Sequence, residues 1–431
     1  DILNLTELRS RWQVVQCCEA YDLVTEIESK PATEHPHAAC GFVCTTANRR
    51  HGAITPCLTK TPDSYFNPKG VAMQQQEQPK CAVGIDTGKR MMVVKRFHQD
   101  GRVDHAQFST SAAGRERLKR WLTKDDVVGI EACAIAFVIA KEIQPFVSAV
   151  LTLNPGRLAV IYKSLKKTDS EDAMKIARMV MRTPVDELPT VPMPTEAEQR
   201  ARRVVSEYDF QRTARTRLVN RMHAIFVHAG ITTVTKRDLK NPKQRPAVAA
   251  LLPEDYIGEW ERMTQSLNLT EAHIETLAQE IRREINERAD DANIVMSMPG
   301  IGPVSALTIL AFINPDRFDH PSQVSNYAGL VPRIYSSGDT VRYGRIIPGC
   351  HAIKAVIVQA AWALVKSKEG GDIKAKYEDL VRQGKGKGRA IVATARKMVE
   401  VLYVMMKNKS AYKFTSEACM KKKMRLYKLA A

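Results

Sequence analysis

Two short apolar runs, each ending on a carboxylate, most constrain what this chain can fold into. Cys81-Ala82-Val83-Gly84-Ile85 leads into Asp86, and Val127-Val128-Gly129-Ile130 leads into Glu131. Both read as strands that hold out an acid at their end. Downstream, Asp169 and Asp172 lie three apart in Lys167-Thr168-Asp169-Ser170-Glu171-Asp172-Ala173, so they share one face of a helix. Carboxylates gathered in this way repel one another unless cations neutralise them. Hard divalent ions, Mg²⁺ above all, suit such an oxygen-only set, and two of them can clamp a phosphate during in-line displacement. The four acids therefore point to phosphoryl transfer on nucleic acid.

Charge agrees with that direction. The 431 residues carry a formal net charge of +18, which calls for a polyanionic partner. The chain is long enough for two or three domains. No apolar run reaches the roughly 18 residues that a membrane helix needs, and 1–31 is too mixed and charged for a secretory signal. Cys17, Cys18, Cys40, Cys44 and Cys57 crowd into the first sixth of the chain, while Cys81, Cys133, Cys350 and Cys419 are scattered. The scattered set reads as reduced thiols in a cytosolic protein. His35, His37, Cys40 and Cys44 stand close together, but a zinc site shows two well-spaced pairs and His35-Pro36-His37 makes a poor second one.

Residues 1–72 form an extension of different composition, without sustained periodicity, and Met73 reads as the natural start of the functional protein. The alternative is a small accessory domain. From Cys81 the pattern is α/β, with strands expected at 82–86, 91–96, 103–108, 127–131 and 148–153, the first three close enough for a meander. Helices are expected at about 112–123 and 134–144, and a later one carries Asp169 and Asp172. Pro184, Pro189, Pro192 and Pro194 mark a linker, so this domain is bounded at 73–190. Residues 191–290 read as long charged helices. There Ile274, Leu277, Ile281 and Ile285 recur at helical spacing and suit an antiparallel or intermolecular coiled coil, with a turn from Asn241-Pro242 to Pro253. Residues 291–420 read as helical, and 421–431 as a basic tail.

Four further motifs bear on chemistry. Met298-Pro299-Gly300-Ile301-Gly302-Pro303 resembles half of a helix-hairpin-helix, whose glycine turn offers backbone N–H groups to a phosphate; a plain helix boundary is the alternative. Ser336-Ser337-Gly338, flanked by Arg333, Arg342 and Arg345, offers a hydroxyl nucleophile with cations for the developing charge. By itself it is also ordinary loop chemistry. Lys385, Lys387 and Arg389 lie in a Gly-rich basic stretch, and Lys421-Lys422-Lys423-Met424-Arg425 is the basic tail, either nucleic-acid contacts or solvated surface.

From Cys81 onward the chain resembles the DEDD transposases of insertion sequences, the group that includes Piv-type DNA invertases and bridge-RNA-guided recombinases. The residues that carry the resemblance are Gly84-Ile85-Asp86-Thr87-Gly88-Lys89, Ile130-Glu131-Ala132, Asn154-Pro155 and Lys167 through Ala173. In the second half they are Pro299-Gly300-Ile301-Gly302, Ala328-Gly329-Leu330-Val331-Pro332-Arg333 and Ser337-Gly338. The resemblance implies an RNase H-like (RuvC-like) α/β domain with a coiled-coil insertion and a helical C-terminal transposase domain. It implies Asp86, Glu131, Asp169 and Asp172 as metal ligands for Mg²⁺ and Ser337, with Ser336 in reserve, as a nucleophile supplied by another subunit of a homo-oligomer. Strands are then exchanged through a phosphoserine linkage. Donor and target double-stranded DNA are chosen by a structured non-coding guide RNA, in the cytoplasm and at the nucleoid. No helix-turn-helix or zinc finger is visible, and delegating sequence choice to RNA reconciles that with the strong positive charge. Relatives follow the serine loop with a Ser/Thr-Lys-x-Gly-Asn-like turn, where this chain has Ile346-Ile347-Pro348-Gly349-Cys350-His351. An actin-like ATPase also begins with a Gly-Ile-Asp-Thr-Gly hairpin, but the second hairpin and adenosine turn it needs are missing. A metal-dependent junction nuclease without a covalent serine step, and an inactive RNA-binding relic, are the remaining alternatives.

Overall fold

Five strands pair into one mixed sheet in a computed structural model that describes residues 79–133, 135–161, 169–337, 340–427 and 429. The expectations for 1–72, including Met73 as the start and the His35/Cys44 cluster, lie outside the described residues. β1 (Cys81–Thr87), β2 (Met91–His98) and β3 (Val103–Ser109) form an antiparallel meander, as their short connections anticipate. β4 (Asp126–Glu131) and β5 (Ala149–Leu153) add in parallel on the other side of β1, giving the order β3-β2-β1-β4-β5. Parallel pairing needs crossovers. α1 (Ala112–Trp121) and α2 (Ala136–Ile143) supply them and bury Leu118, Ile139 and Ile143 on one face of the sheet.

The other face is covered more tightly. α3 (Pro155–Ile161) follows β5, and α4 (Asp169–Arg182) then crosses the sheet over β1, β2 and β4. Its sheet-facing stripe is Ala173, Ile176, Ala177 and Val180, at the i, i+3, i+4, i+7 spacing of an amphipathic helix. Gly84 makes the approach possible: a Cβ there would sit 2.0 Å from the Ala173 carbonyl oxygen and 2.5 Å from the Ala177 nitrogen. Gly129, its register partner on β4, is likewise roofed by Ile176 and Val180. At the far end of the sheet a buried ion pair ties β2 to β4. Arg96 grips Asp126 through two hydrogen bonds of 2.8 and 2.7 Å and lies over the Trp121 ring.

α5 (Glu196–His228) begins at a capping box between Thr195 and Glu198 and runs 33 residues. The connection is wider than the expected Asn241–Pro253 turn, since α5 ends at His228 and α6 (Lys236–Lys240) precedes it; α7 (Arg245–Ala249) lies within it, and α8 (Glu254–Asn286) returns alongside α5. Val204 and Val205 cluster with Ile281 and Ile285 at the base, while Phe226 meets Trp260 at the tip, so the pair is antiparallel within one chain. The base of this arm enters the largest core, formed with α9 (Ala289–Ser297), α10 (Pro303–Phe312) and α11 (Pro321–Tyr327). Arg317 joins that core to the capping box through a 2.8 Å bond to Glu198.

A two-stranded ribbon, β6 (Pro332–Ser337) and β7 (Thr340–Ile346), then projects from the core. This stretch reads as a loop in the sequence and is a β-hairpin in the structure. α12 (His351–Lys366), α13 (Gly371–Arg382), α14 (Lys387–Lys407) and α15 (Glu417–Tyr427) complete the domain. The Lys-rich end is therefore part of a helix that already begins at Glu417. No helix among the described residues is long and apolar enough to cross a membrane.

Candidate active site

Asp86 and Glu131 stand at neighbouring positions, because Ile85 and Ile130 are register partners and each acid follows directly. Side chains alternate along a strand, so Asp86 shares the face of Gly84, and Glu131 that of Gly129. That is the face covered by α4. The direction of α4 follows from its contacts. Ala173 and Ala177 lie on Gly84, while Arg178 reaches the ring of Phe97, the partner of Ala82 nearer the start of β1. The helix thus runs down from the strand ends that carry the acids. Asp169 and Asp172 continue its sheet-facing stripe by one turn, which brings them to that same end.

The electrostatics of this end are partly settled within the chain. Lys175 donates to Asp172 at 2.8 Å, one helical turn on. Acids in the first turn of a helix also gain from its dipole. The hydroxyl of Thr87 and the thiol of Cys133 approach to 3.4 Å and tie the end of β1 to the loop after β4. Among the described residues no three His, Cys, Asp or Glu side chains already form a group that could hold a metal ion. The donor set nonetheless fits a hard divalent cation in its chemistry, since all four groups are carboxylates, and in its shared face.

Ser337 lies in the other domain, at the tip of the ribbon and exposed. Cross-strand partners share a face, and the register sorts the two serines. Ser336 pairs with Val341 beside Ile334 and Tyr343, on an apolar face. Ser337 pairs with Thr340 beside Tyr335 and Arg342. Arg333 belongs to this second face too, because a Cβ on Gly344 would lie 3.5 Å from Arg333 Cβ and 2.9 Å from the Tyr335 ring. Arg345 is also exposed. Gly338 and Asp339 lie outside the described residues.

The ribbon is rooted at a narrow neck. A Cβ on Gly349 would sit 2.3 Å from the Gly329 nitrogen, and Gly329 adopts φ +68°, where glycine is favoured. The Ile347 N–H donates to Val331 O and the Cys350 N–H to Tyr327 O, closing the neck above and below. Burial, with Cys350 beside it, pushes the Tyr327 phenol well above its ordinary range.

The two remaining groups of expected contacts differ. Lys385, Lys387 and Arg389 are exposed around the start of α14, after Gly384 ends α13 at φ +79°. The Gly300-Ile301-Gly302 turn is engaged from both sides. Gly300, at φ +86°, packs against the Ala360 carbonyl of α12, and the Tyr427 hydroxyl of α15 lies where a Gly302 side chain would go. Lys423 donates to the carbonyl oxygens of Met296 and Met298, and burial pushes its pKa down to about 8. Sequence reasoning missed this docking. The signal was Met420, Met424 and Tyr427 at i, i+4 and i+7 among the lysines.

Comparison with known proteins agrees with this two-part arrangement. Residues 83–230 match a transposase domain model of the DEDD, IS110 type, and residues 292–378 match one described as transposase IS116/IS110/IS902 family. A probable family 20 transposase of Pseudomonas aeruginosa is 25% identical over 347 residues, 77% of this chain and 98% of the relative. The transposase for insertion sequence element IS1111A of Coxiella burnetii is 24% identical over 339 residues, 77% of this chain and 87% of its own. Both transposase domains in order, on an acid-ended sheet and a helical second half, place the chain in the IS110/IS116 family of transposases, enzymes that recombine DNA.

Proposed function

We propose that the chain is a serine-dependent DNA recombinase whose RNase H-like sheet domain works with the ribbon of the C-terminal domain. Asp86, Glu131, Asp169 and Asp172 would hold one or two Mg²⁺. Bound there, the metal offsets phosphate charge and lowers the pKa of a nearby hydroxyl. The observation that carries the reading is the sorting of the ribbon: Ser337 shares a face with Arg333 and Arg342, whereas Ser336 does not.

The step is a balanced exchange. Ser337 Oγ bonds to phosphorus, its proton passes to a carboxylate, and the bond from phosphorus to the departing deoxyribose oxygen breaks. That oxygen leaves as a hydroxyl once protonated. Attack by the hydroxyl of a new strand end reverses the sequence, so the number of phosphoester bonds is conserved and no ligase is required. Arg333, Arg342 and Arg345 offset charge on the phosphorane. The acids and Ser337 come from different subunits of a homo-oligomer, which suits a serine carried on an exposed ribbon away from its own core. A guide RNA selects the donor and target DNA. Lys385, Lys387 and Arg389 contact nucleic-acid backbone, while use of the Gly300/Gly302 turn requires α15 to move aside.

The test is strand exchange by the purified protein with RNA transcribed from the flanks of its gene, donor and target duplexes, and Mg²⁺. A protein–DNA adduct stable to SDS is expected, lost in Ser337→Ala and kept in Ser336→Ala. RNA-stimulated cleavage without an adduct would instead identify a metal-dependent junction nuclease.

A further inference from the structure

Tyr335 is an aromatic residue on the Ser337 face of the ribbon that this mechanism leaves unused. It is 58% exposed, on a ribbon whose described strands hold three arginines and no acid. Its ring edge lies over the bare backbone of Gly344, 2.9 Å from where a side chain would begin. Arg342 stands directly across the ribbon from it, and Arg333 is its neighbour on the same face. An aromatic ring backed by glycine, open to solvent and flanked by guanidinium groups, has the parts of a stacking platform for a nucleobase. A core role is excluded by the exposure.

Position gives the platform its purpose. Tyr335 and Ser337 are two residues apart on one strand face, about 6.6 Å along the ribbon. That matches the reach from a phosphate to the base of an adjoining nucleotide. We propose that Tyr335 is a positioning residue that stacks on an unpaired base next to the scissile phosphate and so sets which phosphate meets Ser337. This rests on the reading of Ser337 as the nucleophile. The occupant is one base that has left its helical stack, because a base inside a duplex has no free face to offer. Strand opening next to the cleaved bond becomes part of substrate selection. The apolar face across the ribbon, with Ile334, Val341 and Tyr343, takes no part.

The experiment uses the full chain with its flank-derived RNA and a duplex spanning one end of its element, with 5-iododeoxyuridine on either side of the cleaved phosphate. Irradiation of the Ser337→Ala protein, expected to hold DNA without cleaving it, should cross-link the base to Tyr335. In otherwise unaltered protein, Tyr335→Leu should slow adduct formation about 5- to 100-fold. Tyr335→Phe and Tyr335→Trp should stay close to the parent rate. A cross-link that maps elsewhere, or Tyr335→Leu acting at the parent rate, would overturn the proposal. Phe as impaired as Leu would overturn it too, by assigning the role to the hydroxyl. An adduct that survives Ser337→Ala while the cross-link persists would remove the nucleophile assignment and leave the platform standing.

Discussion

Asp86 stands next to last in a strand where the four residues before it are buried, whereas Ser337 ends a strand on which no residue is buried. The acids are held by packing. Ala82 to Ile85 lie between two helical layers, and α4 touches β1 so closely that only glycine fits at 84. The serine is held by little more than the pairing of two strands and the neck beneath them. An isolated two-stranded hairpin is marginal in water, so the ribbon needs a partner surface to become rigid. On the proposed mechanism the contrast is a division of labour: the groups that hold charges in register sit on a core, and the group that travels to its target does not.

The contrast can be broken most decisively at Asp86. Asp86→Asn is expected to lower DNA cleavage by about 1,000-fold or more while leaving the melting curve in place. Undiminished strand exchange by this variant would remove the metal-site reading. Next come the glycines of the two regions. Gly84→Val should cost about 3–5 kcal/mol in urea unfolding, because its Cβ would meet the α4 backbone. Gly344→Ala meets mainly the movable Tyr335 ring and should cost less than about 1 kcal/mol. Similar costs at the two sites would mean the ribbon is packed as firmly as the sheet.

The most local effect concerns α15. Folded Lys423 loses its proton near pH 8 and the unfolded chain holds it to about 10.5, so between these values the unfolded state binds more protons. Stability of the docked helix therefore rises with pH through this window, by about 2 kcal/mol at most after allowance for partial exposure. Hydrogen exchange over 417–427 should slow as pH rises from 7.5 to 9.5, after correction for the intrinsic rate, and Lys423→Met should abolish that trend.

The sheet was legible because burial writes itself into sequence. Val83, Ile85, Val128 and Ile130 are apolar for the same reason that they are interior, and the glycines between them mark where α4 comes close. The face shared by Asp86 and Glu131 follows from register once the strands are known, and Asp172 joins it through the packing of α4 on Gly84 and Gly129. That Lys175 would pair with Asp172 was not legible, since the repulsion argument considers the acids alone. The ribbon was missed for the opposite reason. Exposed on both faces, it has no core-facing stripe, and its signal is turn chemistry: Gly338-Asp339 between β-branched and aromatic residues. Reading Ser336 and Ser337 for chemistry hid the strand they belong to, and with it the register that separates them. The docked helix was hidden likewise, since Lys421, Lys422 and Lys423 look alike in sequence although Lys423 alone turns inward.

The crossing of Gly329 and Gly349 also sets the mechanics of the ribbon. The strands leave and re-enter the core at one point, and Ser337 lies six residues out, about 20 Å at strand rise. A lever of that length turns a tilt of about ten degrees at its base into a displacement of roughly 3.5 Å at the hydroxyl. If Ser337 acts as proposed, small backbone adjustments at two glycines would be geared up to the scale of a chemical bond forming or failing to form.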